Sequence, residues 1–533
     1  MKIPKLAGLY RNPWIATLGV FILFLLTRCI VAPFYELATE YVWDGMLETC
    51  VQPWQFATGQ PLAGGDTAYL SDLTTLAVSK IFGYSVHHLQ LFIVGMAAVS
   101  MGLVFLAFHR IFGLSTAARI MAVLLVSLPF ITWEVMASAV PTGLWGESLV
   151  LLCLTWSPSW KRDLALAASC VVVLLCYASG VVTVMPLLPL HILFFRRRWP
   201  VPRILSFGAF MSAGLLLVWC MRQVVSGHGD FTRWGGGRLG IPAMERYLFG
   251  LKVMLIDVFW SAKTWCSGAY AEPYLNILFC LLLLIGLIRL TQLISEKVEV
   301  ARYLNRAGEG WQRSGRRISL KLTDQVYWLL VFFLTFCMAT LIAGIDAGVP
   351  GVRRIYTAVL VLIPIIAAAP SLAWRSVWVP RLLHLVFVIA LCWQATSSFL
   401  LIKSLWPPPP PGYRRWFVTA EEVAKGVAKL EQPAIVIIDR DLEMALDRVF
   451  CRLYLDPATR PLAMAFYGLE LTKQGTVVLS KDGDPNQPGA PALERGFLLV
   501  TKSQERADRL LPYLLARTPS NSAPNKVLLI STP

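Results

Sequence analysis

Asp44 stands in the stretch YVWDGMLETC, with Glu40 four residues before it and Glu48 four residues after. In a helix that spacing puts the three carboxylates on one face. Such a group accepts a proton from a hydroxyl nucleophile or binds a hard divalent cation through oxygen. Asp66 and Asp72 follow, Glu36 precedes, and no Lys or Arg occurs between Arg28 and Lys80. The plain alternative is that acids on an outside loop avoid a wrong topology signal and solvate a surface helix. Glu36, Glu40 and Asp72 are read that way.

A second pair of acids lies in TWEVMASAVPTGLWGESLVLLCL, at Glu134 and Glu147. Charge close to a bilayer is costly and usually functional; the alternative is an interfacial acid that reaches out to water. Positive charge that could meet a phosphate sits in GIDAGVPGVRRIYTAVL, at Arg353 and Arg354, with Tyr356 just after. Arg is the bidentate phosphate partner, although Arg and Tyr also anchor spans at the interface. Arg233, Arg238, Arg246, Lys252 and Lys263 lie in the segment 224–273. Its TRWGGGRLG has glycines that let backbone N–H groups approach an anion, or that simply make a flexible loop. His87 and His88 read as interfacial rather than as ligands.

These groups need a scaffold, and the composition says which. Of 533 residues, 56% are hydrophobic and 15% charged, against about 25% charged in a soluble domain. Apolar runs of 18 or more residues cross roughly 30 Å of hydrocarbon. The chain therefore reads as an integral membrane protein. The first run is too long for a signal-peptide core, and no small-residue cleavage site follows it. The net charge of +16 sits in short loops between spans, so nucleic acid is not a partner. Cys29, Cys153, Cys170, Cys176, Cys220, Cys280, Cys337 and Cys392 fall in apolar runs, as small hydrophobes. No CxxC occurs, which argues against zinc.

We expect a mainly α, polytopic bundle of about eleven spans near 14–33, 89–108, 117–136, 144–158, 163–179, 180–195, 204–223, 274–294, 326–344, 355–373 and 382–404. Lys2, Lys5, Arg11, Arg110, Arg119, Lys161, Arg162, Arg196 to Arg198, the bases of 295–325, Arg375 and Arg381 all fall on one side of an odd-numbered bundle. That side is the cytoplasm. The chain is thus a multi-pass protein of the inner (plasma) membrane. The acidic loop 34–88, the segment 224–273 and everything after 405 are extracytoplasmic, or periplasmic. The domains are a transmembrane unit at 1–405, a stiff Pro-rich linker at 406–414 (WPPPPPGYR), and a small extracytoplasmic α/β domain at 415–533. In that last part, AIVIID, TVVLS, GFLLVTK and KVLLIST read as strands, and AEEVAKGVAKL and SQERADRLLPYLLAR as amphipathic helices.

The order of parts carries a resemblance: a basic N-terminus, one span, an outside loop with Asp44 near its start, TGQPL at 58–62, KIFG at 80–83, then the next span. This is similar to the first outer loop of the GT-C superfamily, membrane glycosyltransferases that use polyprenyl-phosphate sugars, among them the protein mannosyltransferase-like enzymes of glycosyltransferase family 39. It covers roughly the first 160 residues in pattern and the remainder in architecture. It implies that Asp44 is the catalytic base and that Glu147, placed before its apolar run, is the second acid, with Glu134 behind it. Arg353, Arg354 and Tyr356, with Arg233 and Arg238, would hold the donor phosphate. Many relatives have Asp-Glu where this chain has Asp44-Gly45, so either Asp44 works without a second carboxylate or Glu48 or Asp66 supplies it. A divalent metal (Mg, Mn or Ca) on Asp44, Glu48 and Asp66 would act as a Lewis acid; no other cofactor is implied.

The expected function is transfer of a hexosyl or pentosyl group from a polyprenyl-phosphate donor to an acceptor hydroxyl at the outer membrane face, with inversion. The acceptor is a lipid, a polysaccharide or a protein, and membrane lipids surround the chain. A lipid or polysaccharide transporter or flippase is the alternative. It predicts charges in the middle of several spans, and the apolar runs read as nearly free of them. A non-catalytic GT-C-like scaffold is the third reading.

Overall fold

The computed structural model describes residues 12–35, 86–135, 140–176, 178–226, 273–306, 316–347 and 356–404, five segments between 435 and 529, and residues 74, 77, 78, 81, 82, 258 and 259. It is mainly helical. In chain order the helices are α1 (Pro13–Tyr35), α2 (Val86–Phe112), α3 (Leu114–Val126), α4 (Leu128–Val135), α5 (Val140–Leu154), α6 (Trp160–Leu175), α7 (Ala178–Phe194), α8 (Val201–Ser226), α9 (Ile277–Arg306), α10 (Arg316–Ala347), α11 (Tyr356–Ala368) and α12 (Trp378–Ser404). Six of them contain a segment long and apolar enough to cross a membrane: α1, α2, α8, α9, α10 and α12. At about 1.5 Å per residue, the 23 residues of α1 reach about 35 Å. The 13 of α11 reach only about 20 Å, short of the hydrocarbon thickness.

Two of the short apolar helices, α5 and α11, are buried over most of their length. Every residue of α11 from Ala358 to Ala367 is buried, and α11 packs with α3, α7, α9 and α10. By contrast α8 buries little and leans on α6. The sequence places apolar residues all round these helices, so burial is decided by neighbours rather than by a stripe.

The expected span over 117–136 is two helices that meet at Ser127, whose backbone is extended. The physical reason is Pro129, which has no N–H to give to the carbonyl four residues earlier. Another turn precedes it: Gly113, at φ 86°, ends α2 and starts α3, a conformation that favours glycine.

Several of the basic loops gather at one end of the bundle. Arg119 donates to Ser371 and contacts His384 at 2.9 Å. Arg198 pairs with Asp324 at 2.9 Å, and Gln325 reaches the Ile111 carbonyl. One of these bases is not a solvated topology signal. Arg162 is fully buried, bonded to Asp163 at 2.8 Å and stacked 4.2 Å from the Trp199 ring. Towards the opposite end, Gln90 donates to the Ala32 carbonyl and the Asn276 N–H donates to Gln394.

Beyond 434, strands β1 (Ile435–Ile438), β2 (Thr476–Leu479), β3 (Phe497–Thr501) and β4 (Lys526–Leu529) form a sheet of order β2-β1-β3-β4, parallel throughout. Helix α13 (Gln504–Leu515) joins β3 to β4, the crossover that a parallel pair requires. Eight cysteines among the described residues are free. Cys153, Cys170 and Cys176 are buried, as small hydrophobes should be, whereas Cys220 and Cys392 are exposed.

Candidate functional site

Glu147 lies in α5, eight positions into that helix, and is fully buried. Two glycines set its place. A Cβ on Gly146 would come within 2.7 Å of Val173 Cγ2, and one on Gly180 within 2.6 Å of the Gly143 carbonyl oxygen. Helix α5 therefore touches α6 and α7 almost backbone to backbone. Small residues allow this approach between membrane helices. Gly180→Ala should cost roughly 1–3 kcal/mol, as overpacking does, because the obstructing atom is backbone; the unfolding midpoint in detergent reads it.

Neither carboxylate oxygen of Glu147 makes a hydrogen bond of good geometry among the described residues, and the Thr357 hydroxyl is the near polar contact. The polar side chain facing it is Thr357, whose hydroxyl lies 2.7 Å from that of Thr183 on α7. Thr357 is the second residue of α11, so the carboxylate meets the start of a helix, where unpaired N–H groups concentrate. Sequence order adds the rest: Arg353 and Arg354 precede Thr357 by four and three residues. The acid thus faces the start of the helix that follows these two arginines in sequence.

Glu134 has another occupation. Its Oε2 accepts from Arg28 Nε at 2.5 Å, with both side chains buried. Arg28 Nη1 and Nη2 donate to the carbonyls of Leu125 and Leu124, each at 3.0 Å. These are the last carbonyls of α3, left over where Pro129 interrupts the helix. Ser398 Oγ covers the next one, Val126. The guanidinium also sits 5.0 Å from the Phe24 ring. A cation at a helix C-terminus is favourably placed, and Arg28 ties α1, α3 and α4 together. This departs from the reading of nearly uncharged spans: α1 carries a buried, paired arginine. The apolar run hid it, because its partners come from residues about a hundred positions away.

Asp44, Glu48, Asp66, Arg233, Arg238, Arg353 and Arg354 lie outside the described residues, and so do the Tyr356 side chain and a metal site on the first three. Among the described residues no group of three His, Cys, Asp or Glu is arranged to hold a metal ion. The residues that sequence reasoning missed are Arg28, Thr183 and Thr357. A lone arginine within a 20-residue apolar run was the one available signal; for the threonines there was none. No protein-family model matches the chain, and no curated protein matches it in sequence.

Proposed function

We propose that the chain is a GT-C-like membrane glycosyltransferase that moves a sugar from a polyprenyl phosphate to an acceptor hydroxyl. Asp44 takes the proton of the acceptor hydroxyl. The oxygen attacks the anomeric carbon from the face opposite the phosphate, the bond from carbon to phosphate oxygen breaks, and polyprenyl phosphate leaves. Arg353 and Arg354 hold the negative charge that develops on it. In this reading the helices thread the membrane about eleven times, the basic end faces the cytoplasm, and 415–533 forms an extracytoplasmic α/β domain.

One observation carries the reading: a fully buried carboxylate, Glu147, with no well-formed hydrogen bond among the described residues and only the Thr357 hydroxyl beside it, at the start of the helix that follows Arg353 and Arg354 in sequence. A buried unsatisfied polar group costs about 1–3 kcal/mol, so a site that keeps one is a functional candidate. Glu147→Met should then raise the unfolding midpoint and abolish transfer. Glu147→Gln should fold normally and turn over roughly a hundredfold more slowly, at the low end of acid–base catalysis. A Glu147→Met protein with wild-type turnover counts against the site.

A tag test addresses the topology. In intact spheroplasts a C-terminal tag should be accessible, while a tag in 295–325 should need membrane permeabilisation. A C-terminal tag reached only after permeabilisation refutes the odd span count. The transport reading draws on the charges inside the bundle, Arg28, Glu134 and Glu147. It is the weaker, because the carbonyls around Arg28 already give the first pair a structural task.

A further inference from the structure

At the basic end of the bundle, α9 and the connection into α12 enclose a cavity of about 470 Å³ lined by Arg289, Gln292, Glu296, Trp374, Arg375 and Ser376, among others. Arg289 is only 6% exposed. Its Nε donates to the Ala373 carbonyl at 2.6 Å, and its Nη1 to Gln292 at 3.1 Å and to Glu296 at 3.2 Å. Nη2 makes no hydrogen bond among the described residues. Arg375, exposed, reaches the same Glu296 oxygen at 3.5 Å. A single carboxylate oxygen therefore sits between two guanidinium groups, farther from each than the roughly 2.7–2.9 Å of a tight charge-assisted bond. Two cations face one anion, and a spare donor remains.

The two helices, α9 and α12, also present exposed apolar side chains. Leu281, Leu284 and Ile288 of α9, and Trp378, Leu382 and Leu385 of α12, are exposed. They lie on segments apolar enough to cross a membrane. Positive charge at the cavity and apolar rows running away from it match one kind of molecule, with an anionic head and hydrocarbon tails.

We propose that this cavity binds the phosphate of an anionic membrane phospholipid, and that Glu296 occupies the phosphate position until the lipid displaces it. Basic pockets between membrane helices recognise lipid head groups in this way, and Arg offers the fork that a phosphate accepts bidentately. The site lies at the end of the bundle opposite Thr357 and Glu147 and does not depend on the transfer reaction.

The test is native mass spectrometry of the full chain in detergent, titrated with phosphatidylglycerol, with phosphatidylcholine as the zwitterionic, net-neutral comparison and inorganic phosphate as competitor. Arg375→Ala, at an exposed position, should weaken phosphatidylglycerol binding about tenfold, the lower end for a charged hydrogen bond. Glu296→Gln removes the competing charge while keeping the shape, so it should tighten binding several-fold. Phosphatidylcholine, whose choline offsets its phosphate, should bind more weakly and respond less to either change. Two variants that both bind phosphatidylglycerol like the wild type would overturn the proposal. So would full displacement by inorganic phosphate, which would assign the cavity to a soluble anion.

Discussion

Asp44→Asn should lower turnover by roughly 10²–10⁴-fold while leaving folding and donor binding nearly intact. Asn keeps the shape of Asp but takes no proton at neutral pH, and general-base catalysis contributes an effect of that size. Arg354→Ala should behave differently. It removes positive charge from the proposed phosphate site, so donor binding should weaken as well, by about 1.5–3 kcal/mol. Glu48→Gln is the control: as a surface acid Glu48 should barely affect turnover, whereas a carboxylate that assists Asp44 should lower it. Single-turnover transfer in proteoliposomes separates the chemical step from donor binding. An Asp44→Asn protein with wild-type turnover would remove the base from the account.

The largest expected loss of stability belongs to Arg28. Arg28→Met leaves Glu134 buried without its cation and two carbonyls of α3 without donors, so the chain should lose about 3–5 kcal/mol, as when one partner of a buried pair is removed. Arg28→Lys should rescue little, because an ammonium cannot place donors on a carboxylate and two carbonyls in the geometry of the planar fork. Adding Glu134→Met to Arg28→Met should recover part of the loss by removing the buried carboxylate that has lost its cation. It should not recover all of it, since the carbonyls of Leu124 and Leu125 stay unsatisfied. Unfolding in detergent of the two single and the double variant measures the coupling. Additive losses would show that the pair seen at 2.5 Å does not hold the bundle together.

What could be read from the sequence follows from where the information lies. Apolar run length is local, so α1 and α12 lie within a few residues of the expected 14–33 and 382–404. The interruption at Ser127 was written in Pro129 but is masked by the apolar residues on both sides. The occupation of Arg28 was not legible, because its partners are an acid and two main-chain carbonyls brought in by α3 and α4. Nor was the meeting of Glu147 with Thr357, since close packing of α5 at Gly146 and Gly180 decides which helix it faces. Residue type separated Glu147 from Glu134 only weakly. Packing separates them clearly: one acid is paired with a buried guanidinium, the other has no cation beside it among the described residues and faces Thr357 at a helix start. The strand order β2-β1-β3-β4 likewise has no local signature, because four short apolar runs fit many parallel orders.

The most direct measurement follows both halves of the donor at once. The full chain is reconstituted into vesicles with a polyprenyl phosphate that carries a radiolabelled sugar, together with membrane extract as the source of acceptors. A transferase separates label from carrier: the label should appear on a new acceptor, free polyprenyl phosphate should accumulate in equal amount, and neither should occur with Asp44→Asn. Label that crosses the bilayer while still attached to its polyprenyl phosphate, with no free carrier formed, would contradict glycosyl transfer and assign the chain to lipid transport.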